Sequence, residues 1–265
     1  MQSKTCMLIV DPQKDFTDPK GALYVQGADK DCERLAKFII KHLSDIDEIY
    51  VTLDTHKKYD IAHPGSWLDD KGNIVNPMTL ITDEDLREGR FIPSRDEGWA
   101  YFYVNKIKKH FVWPEHCLIG TWGHSLDENI RKALDMWEGA KKERTVKYII
   151  KGLNPRSEYH GAFMAHVHVP NGKGSFSEST DFNFELLDAL IANNNILVAG
   201  EAKNFCIYFS VKQLLDMSPE SANKIIMLND CMSNVPNVQS GADEFFIQCQ
   251  KMGVHFIDDS SLVNI

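Results

Sequence analysis

The hydrophobic pattern of the chain alternates between short, continuous apolar runs and longer segments in which apolar residues recur at helical spacing. The continuous runs, which are typical of buried strands, lie at 5–10, 49–53, 146–150, 196–199, 224–228 and 254–257. Helical spacing occurs at 31–43, 126–137, 184–191 and 242–252, and in the segment that follows Cys206. This alternation predicts a parallel sheet with right-handed crossovers, in one α/β domain over residues 1–265.

The stretch 66–110 departs from this pattern. It contains the charged run 83–88 and a group of aromatic residues at 99–103, but no long period. We expect an excursion inserted between the second and third strands, which acts as a lid or as an oligomer contact. An unspecialised surface insertion fits the pattern equally well.

The composition and the apolar runs disfavour membrane-spanning and secreted proteins. Of the 265 residues, 43% are hydrophobic, which is enough for a sizeable core. No segment approaches the roughly 18 consecutive apolar residues of a membrane span, and the N-terminus lacks a basic region followed by an apolar one. The six cysteines are scattered without CxxC pairs, which favours free thiols in a reducing compartment. We therefore expect a soluble, cytoplasmic protein.

The formal net charge of −9 argues against a nucleic-acid partner. The expected partner is a small molecule, with neither nucleic acid nor membrane involved. The sequence is compatible with both a monomer and a homo-oligomer.

Reactive side chains follow the predicted strands at one edge of the sheet. Asp11, Asp54 and Lys151 each come directly after a strand, and the fourth strand leads through a polar corner to Cys206. Because ligands of parallel sheets bind beyond the carboxyl ends of the strands, we expect these groups to converge on one cleft. Cys206 is placed near the first turn of a helix, where the dipole favours a thiolate, although most free cysteines are simply small buried residues.

Together these groups are suited to acyl transfer. Cys206 would attack a carbonyl carbon, Asp11 would move the proton and Lys151 would hold both anions. The backbone N–H groups of Ala202 and Cys206 are the expected donors to the oxyanion.

A second group of residues has the character of metal ligands. The carboxylate of Asp54 and the imidazoles of His56, His63 and His116 suit zinc, iron or manganese. Ten histidines in the chain make chance pairs common. Three further histidines, His160, His166 and His168, are left out because their polar loop holds no acid at ligand spacing.

Several motifs carry a resemblance to a known family. They are Val10 to Phe16, Asp54-Thr55-His56, Trp113-Pro114-Glu115-His116-Cys117 with Gly120-Thr121-x-Gly123, Lys151-Gly152, and Gly200-x-Ala202-x-x-x-Cys206. Together they resemble the isochorismatase-like cysteine hydrolases, and within them the nicotinamidases. The resemblance implies a three-layer αβα fold around a six-stranded parallel sheet and a cis peptide between Glu201 and Ala202.

The resemblance also implies roles for particular residues. Asp11, Lys151 and Cys206 match the catalytic triad. Asp54, His56 and His116 match ligands of one divalent metal ion, zinc first, with His63 as a fourth ligand found in some members. The remaining matches are to aromatic residues of the substrate pocket: Phe16, Trp113 and Tyr159.

The implied activity is hydrolysis of nicotinamide to nicotinate and ammonia through a thioester, in NAD salvage. The family's metal binds the pyridine nitrogen. Two charged residues of the corner, Glu201 and Lys203, depart from the family pattern and favour, as the alternative, an amidase of the same mechanism that acts on another small amide. A non-catalytic binding protein is a third hypothesis, which the complete triad and metal set disfavour.

Overall fold

The computed structural model describes residues 3–170, 179–238 and 240–262. Its strands, in chain order, are β1 Thr5–Val10, β2 Glu48–Asp54, β3 Trp67–Asp69, β4 Thr79–Thr82, β5 Phe91–Pro93, β6 Lys109–Val112, β7 Lys147–Lys151, β8 Asn195–Gly200, β9 Ile225–Leu228 and β10 His255–Ile257. Its α-helices are α1 Lys14–Thr17, α2 Ala28–Lys41, α3 Asp83–Arg87, α4 Glu97–Ile107, α5 Glu128–Ala140, α6 Phe184–Ile191, α7 Tyr208–Met217 and α8 Ala242–Met252.

A six-stranded, all-parallel sheet forms the centre of the protein. Its strand order is β10-β9-β8-β1-β2-β7. Leu8 and Val10 of β1 pack with apolar residues of α6, α7 and α8 on one face, while Met7 and Ile9 pack with those of α2 and α5 on the other. Because both faces are covered, the strands are continuous apolar runs. The expected three-layer αβα fold is confirmed.

The strand order reverses between β1 and β8, which lie side by side in the middle of the sheet. From β1 the chain builds outward to β2 and β7, and from β8 it builds the other way to β9 and β10. Val10 pairs with Gly200 at the carboxyl ends of these two strands. The residues that follow them, Asp11 and the corner before Cys206, therefore begin at the crevice where such sheets bind ligands.

The excursion between β2 and β7 is a folded unit. Two antiparallel pairs, β3 with β5 and β4 with β6, stand beside α3 and α4. Trp67, Ile81, Tyr103 and Val104 are fully buried in a cluster of their own. Its strands are only three or four residues long, so they leave no long period in the sequence.

In the part of the chain that the structure describes, no helix combines the length and the apolar character needed to cross a membrane.

Candidate active site

The four predicted strand-end residues meet around the ammonium group of Lys151. Its Nζ lies 2.9 Å from Asp11 Oδ2, 3.1 Å from Asp54 Oδ1 and 3.6 Å from Cys206 Sγ. Lys151 also donates a hydrogen bond of 2.7 Å to the carbonyl oxygen of Tyr159. All four side chains are buried. A buried cation thus holds two carboxylates and a thiol in contact, as the strand-end argument predicts.

Asp11 is held in place by the neighbouring strand. Its φ of 45° lies in the left-handed region, directly after β1. Its backbone N–H donates to Thr52 Oγ1 over 2.9 Å, and the hydroxyl of Thr52 donates back to Asp11 Oδ1. Thr52 was not predicted, since a buried threonine within a strand gives no signal of its own.

The charges of the site are set by burial as much as by neighbours. Burial raises the pKa of the Cys206 thiol well above its ordinary value, although the ammonium of Lys151 acts in the opposite direction. Burial, together with the charge of Asp54, raises the pKa of Asp11, while Lys151 opposes this. Burial disfavours the charge of Lys151, but Asp11 and Asp54 outweigh it and hold the pKa of Lys151 well above its usual range. Burial and the neighbouring ammonium thus act in opposite directions on both the thiol and the carboxyl.

Cys206 lies close to the first turn of a helix, as the sequence predicts. It belongs to a π-helical turn, Lys203–Ile207, that leads directly into α7 at Tyr208. Burial is the largest cause of its raised thiol pKa.

The candidate metal ligands converge next to this cluster. Asp54 Oδ2 lies 3.1 Å from His56 Nε2 and 3.2 Å from His116 Nε2. One nitrogen each of His56, His63 and His116 can be chosen so that all lie within 4.8 Å of one another. Both ring nitrogens of His63 are shielded from solvent and have no side-chain hydrogen-bond partner among the described residues. A buried imidazole in this position fits a ligand of a divalent metal ion, together with Asp54, His56 and His116.

The outer partners of the histidines support the same arrangement. Nδ1 of His116 lies 2.8 Å from the carbonyl oxygen of Pro114, an acceptor for its N–H. Nδ1 of His56 lies 3.1 Å from Asp60 Oδ2. Both contacts direct Nε2 towards Asp54, the side on which a metal would bind. Asp60 was missed, although its place four residues after His56 is a signal that could have found it.

Glu158 is a further buried acid that the sequence analysis did not single out. It forms a second group of potential ligands with Asp54 and His56. It follows β7 by only seven residues, in a loop with no regular pattern.

A narrow cavity lies over Cys206 and the metal ligands. It is lined by Phe16, Leu23, Val25, Asp54, Trp113, His116, Glu158, His160, Ala202, Phe205, Cys206 and Val235. The structure thus places Phe16 and Trp113, the two predicted ring contacts, at the cavity together with both predicted oxyanion donors, Ala202 and Cys206. The peptide bond between Glu201 and Ala202 is cis, as the resemblance implies.

Tyr159 differs from the expectation. Its side chain is not among the described residues that line this cavity; it lies on the far side of Lys151, where its hydroxyl donates to Ser179 O over 2.5 Å. What it offers the site is its carbonyl oxygen, which accepts from Lys151. Phe205 and His160 take the place of an additional ring in the cavity wall.

Glu201 and Lys203 also differ from the expectation that they alter substrate preference. The carboxyl of Glu201 is buried against Ser233, whose N–H donates to Oε2 over 3.2 Å, and against Asp31. The ammonium of Lys203 donates to Asn229 over 2.6 Å. Both side chains turn away from the cavity because the corner directs them towards α2 and the end of β9.

Two residues of the first motif hold the loops of the site together. Gln13 bonds to both the N–H and the carbonyl oxygen of Asp54, at 2.7 and 2.8 Å. Asp15 accepts from the N–H of Cys117 over 2.6 Å, next to His116. A Cβ on Gly123 would lie 2.0 Å from the carboxylate of Asp15, which explains the glycine of that motif.

Similarity to known proteins agrees with this geometry. No family model matches the chain. The nicotinamidase of Saccharomyces cerevisiae is 26% identical over 157 residues, which are 59% of this chain and 61% of that enzyme, less than two thirds of its length. The solved structure of the yeast nicotinamidase superposes with a TM-score of 0.62 at 18% identity, over 96% of this chain and 99% of the other.

Two further structures extend the likeness. A pyrazinamidase of Pyrococcus horikoshii in complex with zinc gives a TM-score of 0.54 at 17% identity, over 96% and 98% of the two chains. An isochorismatase-like hydrolase of Alkaliphilus metalliredigens gives 0.51 at 16% identity, over 96% and 94%. The chain has the isochorismatase-like fold. Within this fold, the switch point between β1 and β8 is where Asp11 and Cys206 lie.

Proposed function

We propose that the chain is an amidohydrolase that converts nicotinamide to nicotinate and ammonia, as a step of NAD salvage. The observation that carries the proposal is the contact of one buried ammonium, Lys151, with Asp11, Asp54 and Cys206. The similarity to nicotinamidases supports the choice of substrate.

The first half of the reaction forms a thioester. Asp11 takes the thiol proton of Cys206 as the sulfur attacks the amide carbon, so the thiolate arises only when it is needed. Its raised pKa makes Asp11 a better proton acceptor than an ordinary aspartate. The N–H groups of Ala202 and Cys206 stabilise the oxyanion. Asp11 then gives the proton to the nitrogen, the C–N bond breaks and ammonia leaves.

The second half uses water as the nucleophile. Asp11 takes a proton from the water as its oxygen attacks the thioester carbon. The C–S bond breaks, the sulfur regains its proton from Asp11 and the acid is released. Lys151 stays charged throughout and offsets the negative charge that moves between oxygen and sulfur.

Asp54, His56, His63 and His116 would hold a divalent ion, zinc in our proposal, beside the cavity. When bound, the ion supplies a Lewis acid for the ring nitrogen of a pyridine amide. Phe16 and Trp113 flank the ring and exclude water from it.

The test is ammonia release from nicotinamide by the purified, metal-supplemented protein and by Cys206→Ser. We expect the variant to lose activity by on the order of 10³-fold or more, because its hydroxyl is a poor nucleophile. Cys231→Ser is the matched control, since Cys231 is also buried but lies 3.6 Å from the hydroxyl of Ser260, where serine fits. Full activity in Cys206→Ser would refute the nucleophile, and a metal-loaded wild-type protein without ammonia release would refute the substrate.

A further inference from the structure

A second and larger cavity adjoins the one above Cys206. It encloses about 510 Å³, within the range of roughly 300–1,000 Å³ that is common for ligand sites. Trp113, Glu158, His160 and Phe205 line both cavities. The two cavities therefore share these four side chains as a common wall.

Two imidazoles, those of His160 and His166, line this larger cavity. The rings of His160 and His166 meet edge to face, with centroids 4.5 Å apart. Both nitrogens of His160 and Nε2 of His166 are shielded from solvent and have no hydrogen-bond partner among the residues that the structure describes. Buried polar atoms in folded proteins are nearly always paired. Unpaired nitrogens at the wall of a cavity are suited to a ligand that enters it.

The surroundings define the chemistry of that ligand. Phe209 lies 5.2 Å from the ring of His160 and 5.0 Å from that of His166, and Phe205 lies 5.3 Å from His160. Aromatic walls of this kind accept a planar ring. A neutral imidazole offers one donor and one acceptor, so a hydroxyl or an amide, which can both donate and accept, suits these two rings.

We propose that the larger cavity binds the distal part of an extended aromatic carboxamide. The reacting carboxamide lies above Cys206, and a second planar, uncharged group reaches past Trp113 and Phe205 to the pair His160 and His166. The substrate class thus includes aryl-substituted nicotinamides that bear a hydrogen-bonding group. This inference rests on the proposed function for the position of the carboxamide.

The experiment measures kcat/KM of the metal-supplemented wild-type protein for nicotinamide and for nicotinamides with a hydroxyphenyl group at each free ring position. We expect at least one isomer to equal or exceed nicotinamide. The matching phenyl compound without the hydroxyl should be about tenfold poorer, because it leaves the imidazoles unpaired.

A pair of variants locates the effect. His166 lines only the larger cavity. His166→Phe should lower the ratio of kcat/KM for the hydroxyphenyl amide to that for nicotinamide by about tenfold. His168→Phe is the matched control, because His168 is exposed in the same loop and pairs with Asp181 at 2.7 Å. It should leave the ratio unchanged.

The outcomes separate the two proposals. If nicotinamide is hydrolysed and every hydroxyphenyl isomer is rejected, the inference is wrong and the proposed function stands. If no amide is hydrolysed, the proposed function fails. Binding of the hydroxyphenyl amides to the Cys206→Ser protein, monitored by tryptophan fluorescence, then tests whether the larger cavity is a binding site. Binding that His166→Phe weakens and His168→Phe does not would support it, and absence of binding would overturn it.

Discussion

We expect Asp60 to act on the candidate metal centre through His56. Its carboxylate lies 3.1 Å from His56 Nδ1, where it would orient the ring and make Nε2 a stronger ligand. We expect Asp60→Asn to weaken metal affinity by about 10–100-fold. Competition with a chelator of known affinity measures this directly.

The chain offers a matched control for this prediction. His42 and Asp45 form a similar pair at 2.9 Å, away from the cavity. Asp45→Asn should leave metal affinity as it is in the wild type. Equal affinities in all three proteins would show that Asp60 has no such role.

Glu201 should leave a pH signature on stability. Burial and the neighbouring Asp31 raise the pKa of its carboxyl well above the ordinary 4.5, so the folded protein keeps a proton that the unfolded chain releases. The stability that comes from this retained proton is fully present below pH 4.5. It is lost as the pH rises from there through the pKa of Glu201 in the folded protein. Glutamine does not titrate. The free energy of unfolding of Glu201→Gln, relative to that of the wild type, should therefore increase as the pH rises.

Urea unfolding of both proteins, from about pH 5 to about pH 8, measures the difference. A constant difference across this range would mean that Glu201 does not carry the proton. The same series requires the metal content of the two proteins to be matched, since bound metal also adds to stability.

Site residues that directly follow a strand could be predicted from the sequence. A residue whose role depends on the direction of its side chain could not. Asp11, Asp54, Lys151 and Cys206 come together because parallel strands end at one edge. The side chain of Tyr159 points away from the cavity because of the conformation of an irregular loop. The spacing of apolar residues does not predict the conformation of such a loop.

Among the elements, β8 depends on the absence of a side chain at its last residue. Gly200 has a φ of 117°, and a Cβ there would lie 2.1 Å from the carbonyl oxygen of Val10. We expect Gly200→Ala to lower the free energy of unfolding by at least about 2 kcal/mol, through the strained φ and the clash between β8 and β1. Activity should fall with it, since Asp11 follows Val10 directly.

Gly139 provides the comparison. It lies in α5, and a Cβ at this position would meet nothing within 4 Å. Gly139→Ala should raise the free energy of unfolding by roughly 0.5–1 kcal/mol, as alanine does in a helix. If urea unfolding shows the two variants to be equally stable, the close approach of β8 to β1 is not what requires a glycine.

Elements with clean periodicity were predicted to the residue, and others were shifted by local chemistry. The bounds of α6 and α8 match the prediction. In contrast, α5 starts two residues later than its apolar pattern, because the side chain of Asp127 caps the N–H groups of Asn129 and Ile130. The π-helical turn before α7 could not be predicted, because the apolar spacing of the helix continues through it.

For the whole molecule, the strand and helix pattern was sufficient to predict the sheet and its edge of reactive groups. It could not predict the internal structure of 66–110, where short antiparallel pairs depend on contacts distant in sequence. This unit reaches the site, since Leu80, Tyr103 and His110 belong to the wall of the larger cavity. Its role as a lid or an oligomer contact stays a prediction.

The carboxylate of Asp54 joins the two halves of the site. One oxygen faces the ammonium of Lys151 and the other faces His56 and His116. Charge drawn towards the imidazoles by a bound ion is charge withdrawn from Lys151, which would then stabilise a thiolate at Cys206 more strongly. We therefore expect a bound divalent ion to raise the reactivity of the thiol, so an alkylating reagent should consume Cys206 faster in metal-supplemented protein and more slowly after chelation.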